Sequence, residues 1–290
     1  MNMCKDVALV VEGGGMRASY TARFFERLIS SHVTVGWAGG ISAGASHVLN
    51  YLSGDEYRAR VSFSTLLSSP RVGGLSPLLR GRGLIDGQYI YQDIARPDGA
   101  LPFDFDAFFA HPAEVCIQAV RADTGETVTW TRKDLPAKRS VMLAARASAT
   151  MPGVMKTPII DGHPFVDGAV GTTGGIPIVP ALGRAEKYAI VLSRPRGFRR
   201  VAPSHPELVR RALRKYPKVA ELMLTRHERY NASLEVVEKL EREGRAKVFY
   251  PEGPLVSNRE RDGKKILASY QAGRAQVDRE WDGWLDFFNS

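Results

Sequence analysis

The 290-residue sequence is poor in cysteine and has no long apolar run. Its two cysteines, Cys4 and Cys116, lie far apart without metal-ligand spacing, so we expect neither a disulfide framework nor a metal site, and a reducing compartment. No stretch approaches the ~18 apolar residues of a membrane span. The apolar residues 7–11 are too few for a secretion signal. We therefore expect a cytoplasmic protein that contacts a membrane only peripherally, if at all.

Acidic residues are in the minority, with 31 Asp and Glu against 40 Lys and Arg and a net charge of +9. The basic residues concentrate at positions 194–200 and 210–215. No zinc-finger or RNA-recognition signature accompanies them, so no nucleic-acid partner is expected. Two interpretations stay open: a solvated basic face, or peripheral contact with an anionic membrane surface.

Acidic residues are also absent between Ser30 and Gly54. This absence bears on whether the glycine loop at 13–18 binds a dinucleotide or forms an oxyanion hole. Residues 7–11 (VALVV) and 33–38 (VTVGWA) are typical of buried strands, and a helical pattern lies between them. This βαβ unit predicts a parallel sheet. Its loop (GGGMRA, 13–18) satisfies the dinucleotide fingerprint but lacks the acidic residue that would hold a ribose. We expect no cofactor, and the loop N–H groups are better placed as an oxyanion hole.

Residues 40–44 (GISAG) lie between the second strand and a helical segment at 43–52. At such a turn, glycine at Gly40 and Gly44 lets the backbone bend sharply and exposes the oxygen of Ser42 at the head of a helix. The pattern predicts a serine nucleophile. The alternative is an ordinary glycine-rich turn in which Ser42 caps the helix.

A serine nucleophile needs a base within hydrogen-bond reach. Asp167 ends a strand that follows a hairpin at Asp161 and Gly162, and Gly168 comes directly after it. Asp167 is therefore the preferred candidate, the alternative being an aspartate that merely begins a turn. Among the six histidines, His163 on the same hairpin is the best candidate for a triad base.

Three motifs together resemble the patatin-like phospholipase family: GGGMR at 13–17, GISAG at 40–44 and DGA at 167–169. The resemblance covers residues 6–200 and extends to the segment ASATMPG at 147–153. Within the family the chain looks closest to the bacterial YjjU-like group, in which a run similar to VLSRP precedes a helical extension.

The resemblance implies a three-layer α/β/α fold with a mostly parallel central sheet and a helical C-terminal extension. It implies a Ser42–Asp167 dyad without histidine, in which Ser42 attacks an ester carbonyl and water cleaves the acyl-enzyme. The N–H groups of Gly14, Gly15 and Met16 would hold the oxyanion, helped electrostatically by Arg17. The whole oxyanion-hole segment is Gly13, Gly14, Gly15, Met16 and Arg17. Ala18 departs from the family, which often has glycine there.

The expected organisation is a patatin-like catalytic domain at 1–200 and a mostly helical extension at 201–290 packed on it. A Ser- and Gly-rich loop at 68–87 is expected over the site, with four leucines suited to a lipid-facing surface: Leu75, Leu78, Leu79 and Leu84. The expected function is hydrolysis of acyl esters, with glycerophospholipids as the expected lipid class. Two alternatives remain: a lipid- or membrane-binding regulator with the same fold, and a Ser-His-Asp esterase of the α/β-hydrolase type.

Overall fold

A computed structural model describes residues 2–66 and 69–290. The predicted βαβ unit opens the fold. Its parallel strands are β1 (Asn2–Val11) and β2 (Val33–Ile41), joined by helix α1 (Ala18–Ser30). Helix α2 (Ala43–Leu52) follows β2 after one residue. The apolar side chains spaced at three and four residues along α1 are buried, as the pattern predicts.

The remaining strands extend this unit into one central sheet. In chain order they are β3 (Glu114–Arg121), β4 (Thr127–Thr131), β5 (Ile159–Ile160), β6 (His163–Asp167), β7 (Lys187–Val191) and β8 (Ala246–Phe249). The order across the sheet is β5-β6-β3-β2-β1-β7-β8, and β4 pairs with β3 outside this path. The run from β3 to β8 is parallel, whereas β4 and β6 are antiparallel to β3. The predicted mostly parallel sheet is confirmed.

Helices cover both faces of the sheet. The others are α3 (Glu56–Ser64), α4 (Leu75–Leu79), α5 (Phe105–Ala110), α6 (Lys138–Ser148), α7 (Ile178–Ala181), α8 (Pro206–Ala212), α9 (Pro217–Leu224), α10 (Arg226–Arg242) and α11 (Gly263–Asn289). Alternate residues of β1 point to opposite faces, as strand geometry requires. Leu9 packs in the core that contains α1 and α11, whereas Val10 packs in the core that contains α7 and α10. This is the predicted three-layer α/β/α arrangement.

The C-terminal region packs closely on the first helix. Trp281 and Trp284 of α11 are buried and meet the ring of Phe24 edge-on, with ring centroids 5.6 and 4.7 Å apart. A Cβ atom added at Gly273 would lie 1.8 Å from the carbonyl oxygen of Tyr20, so only glycine lets α11 approach α1 this closely. The region is mostly helical, and its strand β8 also extends the sheet beside β7.

The predicted loop over the site contains the short helix α4. Ser68, the first residue of this loop, lies outside the described residues. The four leucines expected to suit a lipid surface are exposed by 45% or more. Among the described residues, no helix is long and apolar enough to cross a membrane.

Candidate active site

Ser42 occupies the tight turn between β2 and α2. Its φ of +57° lies in a region that non-glycine residues rarely adopt, which is typical of a strained turn that exposes a functional side chain. A Cβ atom at Gly40 would lie 2.3 Å from the carbonyl oxygen of Gly44, and one at Gly44 would lie 2.4 Å from that of Val11. Both glycines are therefore required by close backbone approach. The turn is fixed further by Ser148, whose Oγ accepts a 2.9 Å hydrogen bond from the N–H of Ser42.

Asp167 meets Ser42 at this turn. The hydroxyl of Ser42 donates to Oδ2 of Asp167 at 2.8 Å, and the N–H of Ala169 donates to Oδ1 at 2.8 Å. Asp167 ends β6, which pairs with β3, and β3 lies beside β2. The sheet order thus brings the ends of two distant segments together. Gly168 allows the following turn to cross β3, since a Cβ there would lie 2.2 Å from the carbonyl oxygen of Gln118.

The Asp167 carboxylate is buried, with 6% of the residue exposed. Burial raises its pKa above the ordinary aspartate value, while the hydrogen bonds from Ala169 and Ser42 act in the opposite direction. A carboxylate with a raised pKa is a stronger base than an exposed one. The pair can therefore transfer the hydroxyl proton of Ser42 to Asp167.

The glycine loop lies against the same serine. A Cβ atom at Gly13 would lie 3.1 Å from the Cβ of Ser42. The N–H groups of Gly14 and Gly15 donate no hydrogen bond to any residue that the structure describes, so they are available to an oxyanion.

The other three N–H groups of the predicted oxyanion segment are already engaged, that of Arg17 by a 3.3 Å hydrogen bond to the carbonyl oxygen of Gly14. The N–H of Gly13 donates to the carbonyl oxygen of Gly175 at 3.0 Å, and that of Met16 donates to the carbonyl oxygen of Asn258 at 3.2 Å. In this conformation Met16 does not offer the free donor that the resemblance implied. The physical reason is a segment just before α11, which crosses the loop and was invisible to local sequence patterns.

Histidine does not take part in the cluster. His163 is half exposed and contacts Asp123 and Arg121 on the hairpin surface. His47 is buried, with Nε2 3.1 Å from both the carbonyl oxygen of Ala18 and Oγ1 of Thr21. Burial lowers the pKa of His47 to about 3. Neither histidine lines the pocket at Ser42.

The pocket over Ser42 is a cavity of about 230 Å³ with two different walls. One wall is apolar and includes Phe63, Ile85 and Met155. It adjoins a smaller cavity that shares Phe63, Ile90 and Tyr91 and is lined further by apolar side chains such as Phe103. The other wall carries arginines, among them Arg17 and Arg226.

Several residues that line the pocket or support the turn of Ser42 were not predicted from the sequence. Ser148 lies in the segment 147–153, which carries part of the family resemblance. Its place in this segment is the one sequence feature that could have indicated a role for Ser148. Arg194 lies in the basic segment 194–200, whose pattern does not distinguish inward from outward side chains. Arg226 and Asn258 line the pocket from the C-terminal region, and no local signal marks either residue.

Comparison with known proteins identifies the family of the chain. The fold and the three motifs define a patatin-like α/β/α protein, and the profile described as patatin-like phospholipase matches residues 9–182. The chain belongs to the patatin-like phospholipase family. A second profile, a domain of unknown function (DUF6363), matches residues 216–289. The predicted YjjU-like subgroup stays a prediction.

A solved structure shares the fold. The crystal structure of VipD from Legionella pneumophila superposes with a TM-score of 0.50 at 12% sequence identity, covering 96% of this chain and 67% of that one. At this identity the likeness concerns the fold alone. No curated protein sequence matches significantly.

Proposed function

We propose that the protein is a serine lipid acyl hydrolase that cleaves acyl esters through a Ser42–Asp167 dyad. The observation that carries the proposal is the 2.8 Å hydrogen bond from the Ser42 hydroxyl to Asp167 beside the glycine loop. Membership of the patatin-like phospholipase family supports a lipid ester as the substrate.

In the proposed reaction, Oγ of Ser42 attacks the ester carbonyl carbon while its proton passes to Oδ2 of Asp167. The carbonyl oxygen becomes an anion, which the N–H groups of Gly14 and Gly15 and the charge of Arg17 stabilise. The C–O bond then breaks, and the departing alcohol takes the proton from Asp167. A water molecule attacks the acyl-serine, gives its proton to Asp167, and releases the fatty acid as Ser42 recovers its hydrogen.

The apolar wall of the pocket and the adjoining small cavity suit an acyl chain, since Phe63 and Ile90 belong to both. The exposed leucines near α4 precede Ile85, which lines the pocket. We therefore propose glycerophospholipids as the substrate class, and peripheral contact of a cytoplasmic protein with a lipid surface through these leucines.

We also propose the division predicted from the sequence: a catalytic domain at 1–200 and an extension at 201–290. The family match at 9–182 and the separate match at 216–289 support this division. The extension is then part of the site, because it supplies Arg226 and Asn258 to the pocket.

One observation favours a second candidate, a lipid-binding regulator with little catalysis. The carbonyl oxygen of Asn258 accepts the N–H of Met16, so one donor of the oxyanion hole is occupied. The two remaining donors at Gly14 and Gly15 make hydrolysis the better-supported function.

Labelling with a fluorophosphonate probe distinguishes the two functions. If the protein is a hydrolase, the probe should label the wild-type protein and should not label Ser42→Ala. Ser64→Ala is a matched control, because Ser64 is buried, bonds only within its own helix and lines neither cavity. A wild-type protein that fails to label would favour the regulator, and labelling that survives in Ser42→Ala would refute Ser42 as the nucleophile.

A further inference from the structure

Besides the exposed Arg259, four arginine side chains line the pocket at Ser42 and lie close to one another. They come from the glycine loop, the segment after β7 and the start of α10, and we call them the arginine wall: Arg17, Arg194, Arg200 and Arg226. Arg17 is buried, with 5% of the residue exposed, and the other three are partly buried. Such a concentration of positive charge is unusual inside a protein.

The arginine wall has no carboxylate partner within the described part of the chain. The Nε atoms of Arg17, Arg194 and Arg200 are buried and bond to nothing there. Arg194 and Arg200 lie over the rings of Phe198 and Tyr230, at 4.3 and 4.7 Å, which orients them without neutralising them.

Arg226 is held in place by a hydrogen bond of 2.8 Å from its Nε to the carbonyl oxygen of Gly174. A carbonyl carries no net charge, so this contact does not neutralise Arg226, whose nearest opposite charges are those of Asp167 and Glu12.

The nearby acidic groups do not balance these four charges. Glu12 accepts hydrogen bonds from the N–H of Ser193 and the hydroxyl of Tyr230, at 2.6 and 3.0 Å. Asp167 is engaged by Ser42 and Ala169. With the solvent-exposed Arg259 left aside, four cations face two carboxylates, which leaves two positive charges in excess.

The electrostatic cost of this arrangement is visible in the arginines themselves. Burial, and then the neighbouring charge of Arg194, lower the pKa of Arg17 to about 10. Burial and the charge of Arg200 lower that of Arg226 to about 10 as well. Buried charges are normally paired or bind a ligand of opposite charge. The charge of the wall therefore suits an anionic ligand.

Neighbouring arginines show that this arrangement is not a general property of the basic segment. Arg196 forms a bidentate pair with Glu241, at 2.9 and 2.7 Å, and Arg199 pairs with Glu238, at 2.8 and 2.7 Å. Within residues 194–200, outward arginines are neutralised by α10, whereas Arg194 and Arg200 line the pocket without such partners.

We propose that the arginine wall is a subsite for a phosphate group, such as the head-group phosphate of the lipid whose ester Ser42 attacks. Guanidinium groups bind phosphate through paired hydrogen bonds, and a phosphate monoester carries charge close to the excess of two. The apolar wall on the other side takes the acyl chain, so the two walls orient the ester over Ser42. This inference rests on the proposed function, because it names the substrate of the same pocket.

The first test compares two lipids with the same acyl chains in neutral detergent micelles: phosphatidic acid and diacylglycerol. The wild-type protein should show a higher kcat/KM for phosphatidic acid. In Arg194→Gln and Arg200→Gln, the ratio of the two kcat/KM values should fall by about tenfold or more, as expected for losing a charge-assisted hydrogen bond. The matched controls Arg196→Gln and Arg199→Gln should leave this ratio within about twofold.

The second test measures binding of inorganic phosphate by calorimetry to the Ser42→Ala protein, alone and combined with each arginine substitution. Binding should weaken about tenfold or more with Arg194→Gln or Arg200→Gln, and thermal melting checks that each variant is folded. If a glutamine variant is unfolded, Arg200→Lys replaces it and should bind phosphate more weakly than the Ser42→Ala protein does. Because this measurement needs no turnover, it is independent of whether Ser42 is the nucleophile.

If Arg194→Gln and Arg200→Gln lower both the ratio of the two kcat/KM values and the affinity for phosphate, the result supports a head-group subsite. If the same variants lower the affinity for phosphate but leave the kcat/KM ratio unchanged, the result supports an anion site whose occupant is free phosphate. Folded variants that keep wild-type values in both tests, or controls that fall as far as the wall variants, overturn the proposal.

Discussion

Ser42 and Asp167 are joined by a hydrogen bond of 2.8 Å from Oγ to Oδ2, although 125 positions separate them in the chain. The sheet order explains the meeting, because β6 pairs with β3 and β3 pairs with β2. Both residues are more than nine-tenths buried. Burial removes water from the carboxylate of Asp167 and so makes it more basic, which has measurable consequences.

The first prediction concerns the acid limb of activity. Burial raises the pKa of Asp167 above its ordinary value of 3.8. Because the base must be ionised to accept the proton of Ser42, kcat/KM should fall on the acid side at a pH above that ordinary value. A pH profile of p-nitrophenyl butyrate hydrolysis measures this limb. A profile that stays flat down to pH 4 would contradict the role of Asp167.

The second prediction concerns stability. Because the pKa of Asp167 is raised in the folded state, its contribution to stability is complete below about pH 3.8 and is lost as the pH rises through the folded-state pKa. Asp167→Asn should therefore be more stable than the wild type at neutral pH. The difference should shrink towards pH 4. Urea denaturation at several pH values measures it, and an Asp167→Asn protein that is less stable at neutral pH would refute the prediction.

The third prediction uses the buried histidine. Burial lowers the pKa of His47 to about 3, so its contribution to stability is present above the ordinary pKa of 6.5 and is lost as the pH falls from there towards 3. His47→Phe should retain the stacking on Phe25 and the tilted contact with Phe63, whose ring centroids lie 4.2 and 4.0 Å away. Its unfolding free energy should fall less between pH 6.5 and 4 than that of the wild type. Equal slopes in urea melts would exclude His47 as a source of acid sensitivity.

The fourth prediction concerns the turn that carries Ser42. Gly40→Ala and Gly44→Ala each place a methyl group within 2.4 Å of a backbone carbonyl oxygen, so each should destabilise the fold by about 2 kcal/mol or more. Gly54→Ala is the control: its φ is +66° and nothing lies within 4 Å of the added Cβ. Only the cost of that backbone conformation, about 1 kcal/mol, should remain there. Similar losses at all three positions would show that crowding at the turn is unimportant.

The fifth prediction tests the packing of α11 on α1. Gly273→Ala would place a methyl group 1.8 Å from the backbone of Tyr20 and should lower the unfolding free energy by about 3 kcal/mol or more. Gly283→Ala in the same helix meets only the flexible end of Lys247, at 3.0 Å. It should be neutral or stabilise by up to about 1 kcal/mol, because alanine favours helix. Equal effects at the two glycines would mean that α11 is not packed on α1 as described.

Sequence patterns predicted the parts of the fold that depend on local chemistry. The bounds of α2, the hairpin at Asp161 and Gly162, and the placing of Asp167 at a strand end follow from periodicity and turn residues. The order of the strands in the sheet is not local and was not predicted; the family resemblance implied only a mostly parallel central sheet.

The parts of the site that escaped prediction depend on contacts between irregular segments. Asn258 reaches Met16 across more than two hundred positions, and Arg226 enters the pocket from the first turn of a charged helix. Neither residue sits in a pattern that distinguishes it from exposed neighbours. Within residues 194–200, only packing on α10 separates the paired arginines from those that line the pocket.

The most direct test of the dyad is steady-state hydrolysis of p-nitrophenyl butyrate by Asp167→Asn and His163→Ala side by side. Asp167→Asn should lower kcat/KM by at least about 10³-fold, as removal of a catalytic base does elsewhere. His163→Ala should stay within about twofold of the wild type, since His163 lies on the hairpin surface and does not line the pocket. An active Asp167→Asn protein together with an inactive His163→Ala protein would contradict the dyad and support a histidine triad instead.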